Sequence, residues 1–438
     1  MLARLAAKPC TEDELRETVR AAKGDPAVAR LPELLDRLRQ GGWLTTTVEH
    51  TGRRLLTICP MGPHPVPRRA AAHNTLRLSR FALLRRGTDD LILESPLAPA
   101  TVWLHDPAVV ALLHAFTQAE PVASVSGALP PDVIAHAVDE LAWYGFLVGP
   151  DDEDDRLASS QWSAHELWFH ARSRSAGPVG STYWAHGVYE PLPARRPAFP
   201  GQPIALRRPD LAAIRAADPP FTAVLEERRT VRHHDDVQPL TVDQLGEFLY
   251  RCAGVRWIDH DGRQEVCGRP YPAGGSLHEL ELYPVVTAVS GLVPGVYHYD
   301  SFDHTLEPVP ARAFAVDQLV QLAAAAAGQS ARPQVLIVIT ARFGRIMWKY
   351  QAMGYALVLT HVGVLYQTMY TVASAMGLAP CAIGAGGTNL FNRATGLDYL
   401  AESTVGEFLL GSRRAVATPD APPPVDRALT QHGVNAAR

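Results

Sequence analysis

Between Lys349 and Arg393 the chain carries no Asp, Glu, Arg or Lys. Within that stretch Met353, Leu357, Val358, Val362, Leu365, Tyr366, Met369, Val372 and Met376 fall on every side of a 3.6-residue wheel, which predicts a helix buried all round. From Tyr350 to Met376 such a helix is about 40 Å long. A membrane span is the first alternative. Against it, Gln351, Thr360, His361, Gln367, Thr368, Thr371 and Ser374 break the run short of the ~20 apolar residues a span needs. A single domain leaves part of so long an apolar helix uncovered, so a homodimer is expected, with Gly354 and Gly363 admitting close backbone approach.

The 438 residues suffice for two or three domains, and 47% hydrophobic content with 20% charged residues is that of a soluble globular chain. A net charge of −4 exerts no global pull towards nucleic acid or anionic membrane. Cys10, Cys59, Cys252, Cys267 and Cys381 are scattered and form no CxxC, which argues against a disulfide scaffold or a zinc ribbon. The start, MLARLAAKPCTEDEL, turns acidic after one short apolar patch, so a secretory signal is not expected and the compartment reads as cytoplasmic.

Residues 1–75 read as three helices and a hairpin, the order of a winged helix. Thr11 and Glu14 form a capping box, Leu31–Arg39 is amphipathic up to Gly41-Gly42, and Trp43–Val48 and Arg54–Cys59 flank a Thr51-Gly52 turn. Residues 76–150 repeat the pattern: Phe81–Leu84 and Leu91–Glu94 as strands, Val109–Phe116 and Asp132–Tyr144 as helices, again leaving a helix through Gly, an aromatic and Leu. Two winged-helix-like modules in tandem are therefore expected. Twelve Lys/Arg against eight Asp/Glu over residues 1–75 make no basic stripe, and Asp132, Asp139 and Glu140 have the wrong sign for a phosphate groove. A structural or peptide-binding role is favoured over DNA.

The acidic run 151–155 marks a boundary, and residues 151–220, with Trp162, Trp168, Phe169, Tyr183 and Trp184, read as a linker packing on the next domain. Residues 221–415 form an α+β domain. Its expected elements are helices at Phe221–Arg228 and Thr241–Cys252, strands at Glu281–Thr287, Val296–Tyr299, Thr305–Pro308, Val335–Thr340 and Thr404–Leu410, and the long helix. Residues 416–438 read as a loose tail.

Four stretches could carry chemistry. Glu227-Arg-Arg-Thr-Val-Arg232 offers forked guanidinium donors suited to a phosphate, or is a solvated basic turn. Pro272-Ala-Gly-Gly-Ser-Leu-His278 and Gly384-Ala-Gly-Gly387 let backbone amides approach a ligand, though neither is a Walker loop or a dinucleotide fingerprint. Lys349-Tyr350 stands at the lip of the uncharged stretch. Desolvation there would lower the lysine pKa and make it a general base; alternatively Lys349 reaches back to water beside a core tyrosine. His233-His234-Asp235-Asp236 points neighbouring side chains apart, no HExxH or GxSxG is present, and His361 reads as a satisfied core histidine, so no metal site is expected.

In this order the four stretches resemble the nitroreductase-like flavoprotein superfamily and, within it, the SagB-type azoline peptide dehydrogenases. The resemblance covers roughly residues 160–415. It rests on RRTVR (228–232), RPYPAGGSLHELELYPVV (269–286) with GLVPGVYHYD (291–300), Lys349-Tyr350 at the opening of the long helix, GLAPCAIGA (377–385), and the Trp162 to Arg174 segment. It implies a nitroreductase-like FMN domain with a central mixed sheet, and FMN at a dimer interface. Arg228, Thr230, Arg232 and Arg413 would hold the phosphate, Gly274, Gly275 and Ser276 would meet the flavin, and Gly384 and Ala385 would contribute backbone. Lys349 and Tyr350 would be catalytic in oxidising thiazoline or oxazoline rings of a ribosomally made peptide to azoles. Partners so implied are the precursor peptide and a cyclodehydratase or leader-binding protein. Glu279, where relatives often carry Pro, and Ala273, where Ser is usual, depart from the pattern. A general flavin nitroreductase using a nicotinamide donor, and a leader-peptide scaffold with an inactive flavin domain, stay open beside that reading.

Overall fold

The computed structural model describes residues 5, 9–62, 74–174, 182–329, 332–384 and 386–414, in two compact units, residues 1–175 and 176–438. In the first unit, α1 (Glu12–Lys23), α2 (Asp25–Val28) and α3 (Leu31–Gln40) precede β1 (Thr46–His50) and β2 (Arg53–Pro60). The Thr11–Glu14 capping box forms in both directions. Thr51 and Gly52 both take positive φ, 50° and 76°, the geometry that matches a two-residue hairpin to strand twist.

The unit continues with β3 (Thr75–Leu78), β4 (Leu83–Arg86), β5 (Leu91–Glu94), β6 (Ala100–Leu104), α4 (Pro107–Ala115), β7 (Glu120–Pro121), α5 (Pro131–Trp143) and β8 (Leu147–Val148). Here the structure departs from two separate modules. One five-stranded sheet runs β1-β2-β6-β5-β4, crossing the expected boundary at residue 75, and β3 lies between β7 and β8 in a second. The reason is local to β2: its inward Leu56 and Ile58 are fully buried, and its second edge is satisfied by β6, with Leu56 opposite Leu104 and Ile58 opposite Val102. One apolar cluster joins these strands to Val109, Leu112, Ala137, Val138 and Leu141 of α4 and α5. The acidic run is no free boundary either, because buried Glu153 accepts from Ser79 Oγ at 2.7 Å and from the Arg80 amide at 2.9 Å.

The second unit holds β9 (Ile204–Ala205), α6 (Val242–Ala253), the hairpin β10 (Trp257–His260) and β11 (Glu265–Gly268), β12 (Leu280–Val286), β13 (Gly295–Asp300), β14 (Thr305–Pro308), α7 (Ala313–Ala326), β15 (Val335–Arg342), α8 (Gly354–Ala375), β16 (Leu378–Ile383), α9 (Thr388–Thr395) and β17 (Glu402–Ser412). Seven strands form one sheet in the order β16-β17-β15-β12-β13-β14-β9. The α+β class holds, but the sheet is not mixed: every pairing in it is antiparallel. Alternation along β15 feeds two cores. Ile337 and Ile339 meet Leu245 and Phe248 of α6 and Val358, Leu365 and Met369 of α8; Leu336 and Val338 meet Leu319, Val320 and Phe391 of α7 and α9. That two-sided burial is why β15 reads as a continuous apolar run.

Two expectations for the central stretch are corrected. The helix starts at Gly354, so Lys349 and Tyr350 precede it and follow a short helix, Phe343–Met347. Nor is α8 buried all round by its own chain: Val358, His361, Val362, Leu365, Met369 and Ala373 are buried, whereas Tyr355 and Leu359 are each 40% exposed. By length and composition alone α8 is apolar enough to cross a membrane; one face of it lies in the core just described. The residues after it, given no element in the sequence reading, form strand β16, paired with β17 from Leu378–Ser412 to Ile383–Glu407.

Candidate active site

The glycine turn at 274–276 is fixed from beneath by Arg345, which is fully buried. Its guanidinium donates to the carbonyls of Leu277 at 2.7 Å, Leu192 at 2.8 Å and Glu265 at 2.8 Å, tying three segments together. Burial pulls its pKa down to about 10. Above it Gly275 (φ 61°), Ser276 (φ 56°) and His278 (φ 46°) all lie in the left-handed region, where only glycine sits without strain.

Gly275 faces the catalytic candidates. A Cβ on it would lie 2.8 Å from Lys349 Nζ and 3.2 Å from the Tyr350 hydroxyl, so a larger residue would push the lysine end aside. The Lys349 amine lies 4.7 Å from the centre of the Tyr183 ring and 5.4 Å from that of Tyr350. Its pKa is not lowered as expected. Burial pushes it down, but a hydrogen bond with Tyr183 and the charges of Tyr350, Tyr183 and Asp261 push it up further, leaving it above the usual lysine value.

Gly274 leads to a feature missed in the sequence. Its amide donates to His361 Nε2 at 2.8 Å, and His361 Nδ1 lies 2.7 Å from Glu279 Oε1. Both side chains are buried, His361 at 4% and Glu279 at 0% exposure. The accepting Nε2 assigns the proton to Nδ1, so the carboxylate orients a neutral imidazole beneath the glycine turn. The residue that departs from the family pattern thus has a partner on α8, while its Oε2 has none among the described residues.

Farther along α8, Tyr370 gathers part of the arginine segment. Its hydroxyl is 3.0 Å from Thr230 Oγ1 and accepts from the Ala382 amide at 2.9 Å, while the Arg228 guanidinium lies 5.2 Å from its ring centre. From His361 to Tyr370 the helix rises about 14 Å. Arg232 lines a small cavity with His233, Arg332 and Arg414; Arg413 lines another with Arg229 and Glu227. The four expected phosphate residues are therefore not all gathered, and Arg414 rather than Arg413 shares a cavity with Arg232.

Gly384 is exposed, with nothing within 4 Å of where its Cβ would be; Ala385 lies outside the described residues. Behind this loop the Gly387 amide donates to Glu407 Oε1 at 3.1 Å, and the Glu407 amide donates to the Tyr366 hydroxyl at 2.8 Å. Burial at 2% exposure drives the Glu407 carboxyl up to about 7.

A glycine turn facing a lysine and a tyrosine, with the Arg228 guanidinium beside Tyr370 about 14 Å farther along the helix, suits a cofactor that is anionic at one end. Sequence comparison makes this an oxidoreductase: the nitroreductase family model matches residues 225–411, and the model of the cyanobactin oxidase ThcOx matches residues 76–177. A Methanocaldococcus jannaschii protein assigned as a nitroreductase is 30% identical over 189 residues, which cover 42% of this chain and 86% of that protein. The microcin B17-processing protein McbC of Escherichia coli is 29% identical over 114 residues, 25% of this chain and 42% of McbC. Among solved structures, the E. coli microcin synthetase McbBCD complex with truncated pro-MccB17 bound is similar at 20% identity with a TM-score of 0.37, covering 55% of this chain and 84% of that one. The chain belongs to the nitroreductase family. Members of this family are flavoproteins.

Proposed function

We propose that this oxidoreductase is an FMN-dependent azoline dehydrogenase, converting thiazoline or oxazoline rings of a ribosomally made precursor peptide to thiazoles or oxazoles. The observation that carries the reading is the meeting of Lys349 and Tyr350 at Gly275, in a chain that resembles ThcOx and McbC. The residues present fit FMN: Arg228, Thr230 and Arg232 offer donors for its phosphate, and the half-buried to exposed glycines 274 and 275 leave backbone free to approach a ring. Held there, FMN would supply the two-electron acceptor for the hydride lost from the ring Cβ.

Lys349 takes the proton from the ring Cα. Because it rests as an ammonium, it must first give up its own proton, so the rate should climb with pH. Tyr350 orients the ring against Gly275. Arg345 and the Glu279–His361 pair hold that turn still, which keeps the reacting atoms aligned. The part-open face of α8, with Met353, Tyr355 and Leu359 at 40–42% exposure, supports a homodimer through that helix. The N-terminal unit handles peptide or a partner such as a cyclodehydratase, its strand edges being suited to adding an extended segment.

The test is incubation of the flavin-loaded protein with an azoline-bearing peptide, followed by mass spectrometry. Loss of two hydrogens per ring is expected; an unchanged mass with flavin bound would sink the assignment. The ammonium state of Lys349 favours one other reading, a small-molecule nitroreductase that needs no base. That reading expects nicotinamide-driven reduction of a nitroaromatic without any peptide.

A further inference from the structure

Two residues beside Lys349 have no place in the scheme above. Tyr183 holds left-handed backbone at φ 62° although it is not glycine. It is kept there by its amide, which donates to the Lys349 carbonyl at 2.6 Å, and by the bridge between Thr182 and Tyr350. A non-glycine residue in this conformation persists only when its surroundings over-determine it, and such residues cluster at functional sites. Its ring lies between two cations: Lys349 Nζ is 4.7 Å from its centre, and Arg263 Cζ is 4.2 Å away.

The hydroxyl is equally constrained. Tyr183 Oη donates to Asp261 Oδ2 at 3.1 Å. Asp261 Oδ1 in turn accepts from the amides of Arg263 at 3.0 Å and Gln264 at 2.9 Å, which locks the carboxylate at the tip of the β10–β11 hairpin. Lys349 Nζ beside Gly275, the Tyr183 ring 4.7 Å from it and the Tyr183–Asp261 hydrogen bond thus line the amine up with an exposed carboxylate. A carboxylate one hydroxyl away favours the charged amine, and a hydroxyl that donates outwards presents its lone pair inwards.

We propose that Tyr183 and Asp261 are the positioning residues of Lys349, aiming its amine at Gly275 and deciding whether that amine carries its proton. The catalytic meaning rests on Lys349 being the base; the control of its protonation does not. The groups that face the amine are Tyr183, Tyr350 and Asp261, which favour its charge, and beyond the Tyr183 ring Arg263, which opposes it.

The experiment measures Lys349 directly in the flavin-loaded full chain. Labelling with acetic anhydride across a pH series, read at the Lys349 peptide by mass spectrometry, yields the midpoint at which the amine becomes free. Tyr183→Phe keeps the ring and removes the hydroxyl; Asp261→Asn keeps the shape and removes the charge. Each should lower the midpoint and raise labelling at a fixed pH below it, Tyr183→Phe more than Asp261→Asn. Arg263→Gln should move it the other way, a sign that general loosening of the hairpin does not produce. Midpoints that stay at the wild-type value in both Tyr183→Phe and Asp261→Asn overturn the proposal. The rising limb of the azoline oxidation rate against pH should shift with the labelling midpoint. If Lys349→Ala oxidises azolines at the wild-type rate, the base assignment falls, and the labelling result still judges the pair.

Discussion

In the N-terminal unit the sheet β1-β2-β6-β5-β4 gives one face to its helices and shows Trp103, 44% exposed, on the other, between Thr57 and Ile92 of the neighbouring strands. In the C-terminal unit β15 is buried at every residue from Val335 to Arg342 because helices cover both faces. The polar groups differ accordingly. The second unit encloses Arg345, His361 and Glu407 at 4% exposure or less, each hydrogen-bonded to a loop of the candidate site, and Glu279, which holds His361. A buried polar group is unfavourable unless it is paired, so a set of four held round one site keeps a defined arrangement in place of greater stability. The N-terminal unit also buries Glu153, but there it ties Ser79 and Arg80 to the acidic run, and the unit leaves an open sheet face for contact.

If the contrast is right, the largest effect belongs to Lys349. General-base catalysis is worth roughly 10²–10⁴-fold, so Lys349→Ala should lower azole formation by that order while the visible flavin spectrum is unchanged. Loss of flavin together with activity would make the lysine structural.

Glu407 tests the stability side. Its carboxyl titrates at about 7 when folded against 4.5 for the ordinary group, so the folded state binds more protons across that window. Stability should fall as pH rises from 4.5 towards 7, by about 3 kcal/mol in all, and level off above. Urea midpoints for the wild type and Glu407→Gln should diverge over that range, with the variant flat; parallel curves would place the proton elsewhere.

Arg228→Ala should weaken retention of FMN by roughly 1.5–3 kcal/mol, the worth of a hydrogen bond to a charged group, and retention of riboflavin much less. Equal loss of both would remove Arg228 from the phosphate. The smallest effect is expected at Trp103, where an exposed side chain changed to Ala should alter stability within about 0.5 kcal/mol. Flavin content should hold, and any loss should appear in binding of a precursor peptide to the full chain. A large fall in melting temperature would mean that the open face belongs to a core after all.

Much of this protein was legible residue by residue. The capping box at Thr11, the Thr51-Gly52 turn and the apolar run of β15 depend on chemistry between near neighbours, and each formed as read. The family pattern named Gly275, Lys349 and Tyr350 as site residues, and the fold brings these three side by side. Other features had no local signal. One sheet spans residues 46–104 because β2 needed a second edge, and only pairing reveals which strand supplies it. Tyr183 meets Asp261 across 78 residues, His361 meets Glu279 across 82, and Gly387 meets Glu407 across 20. In sequence Tyr183 was one more linker aromatic and Glu279 a departure from the family pattern. The sign of the Lys349 shift shows the difference most directly. Sequence position placed the lysine at the edge of an apolar stretch, where burial lowers its pKa. Folding adds Tyr183, Tyr350 and, least of the three, the carboxylate of Asp261, and together they outweigh the lost hydration.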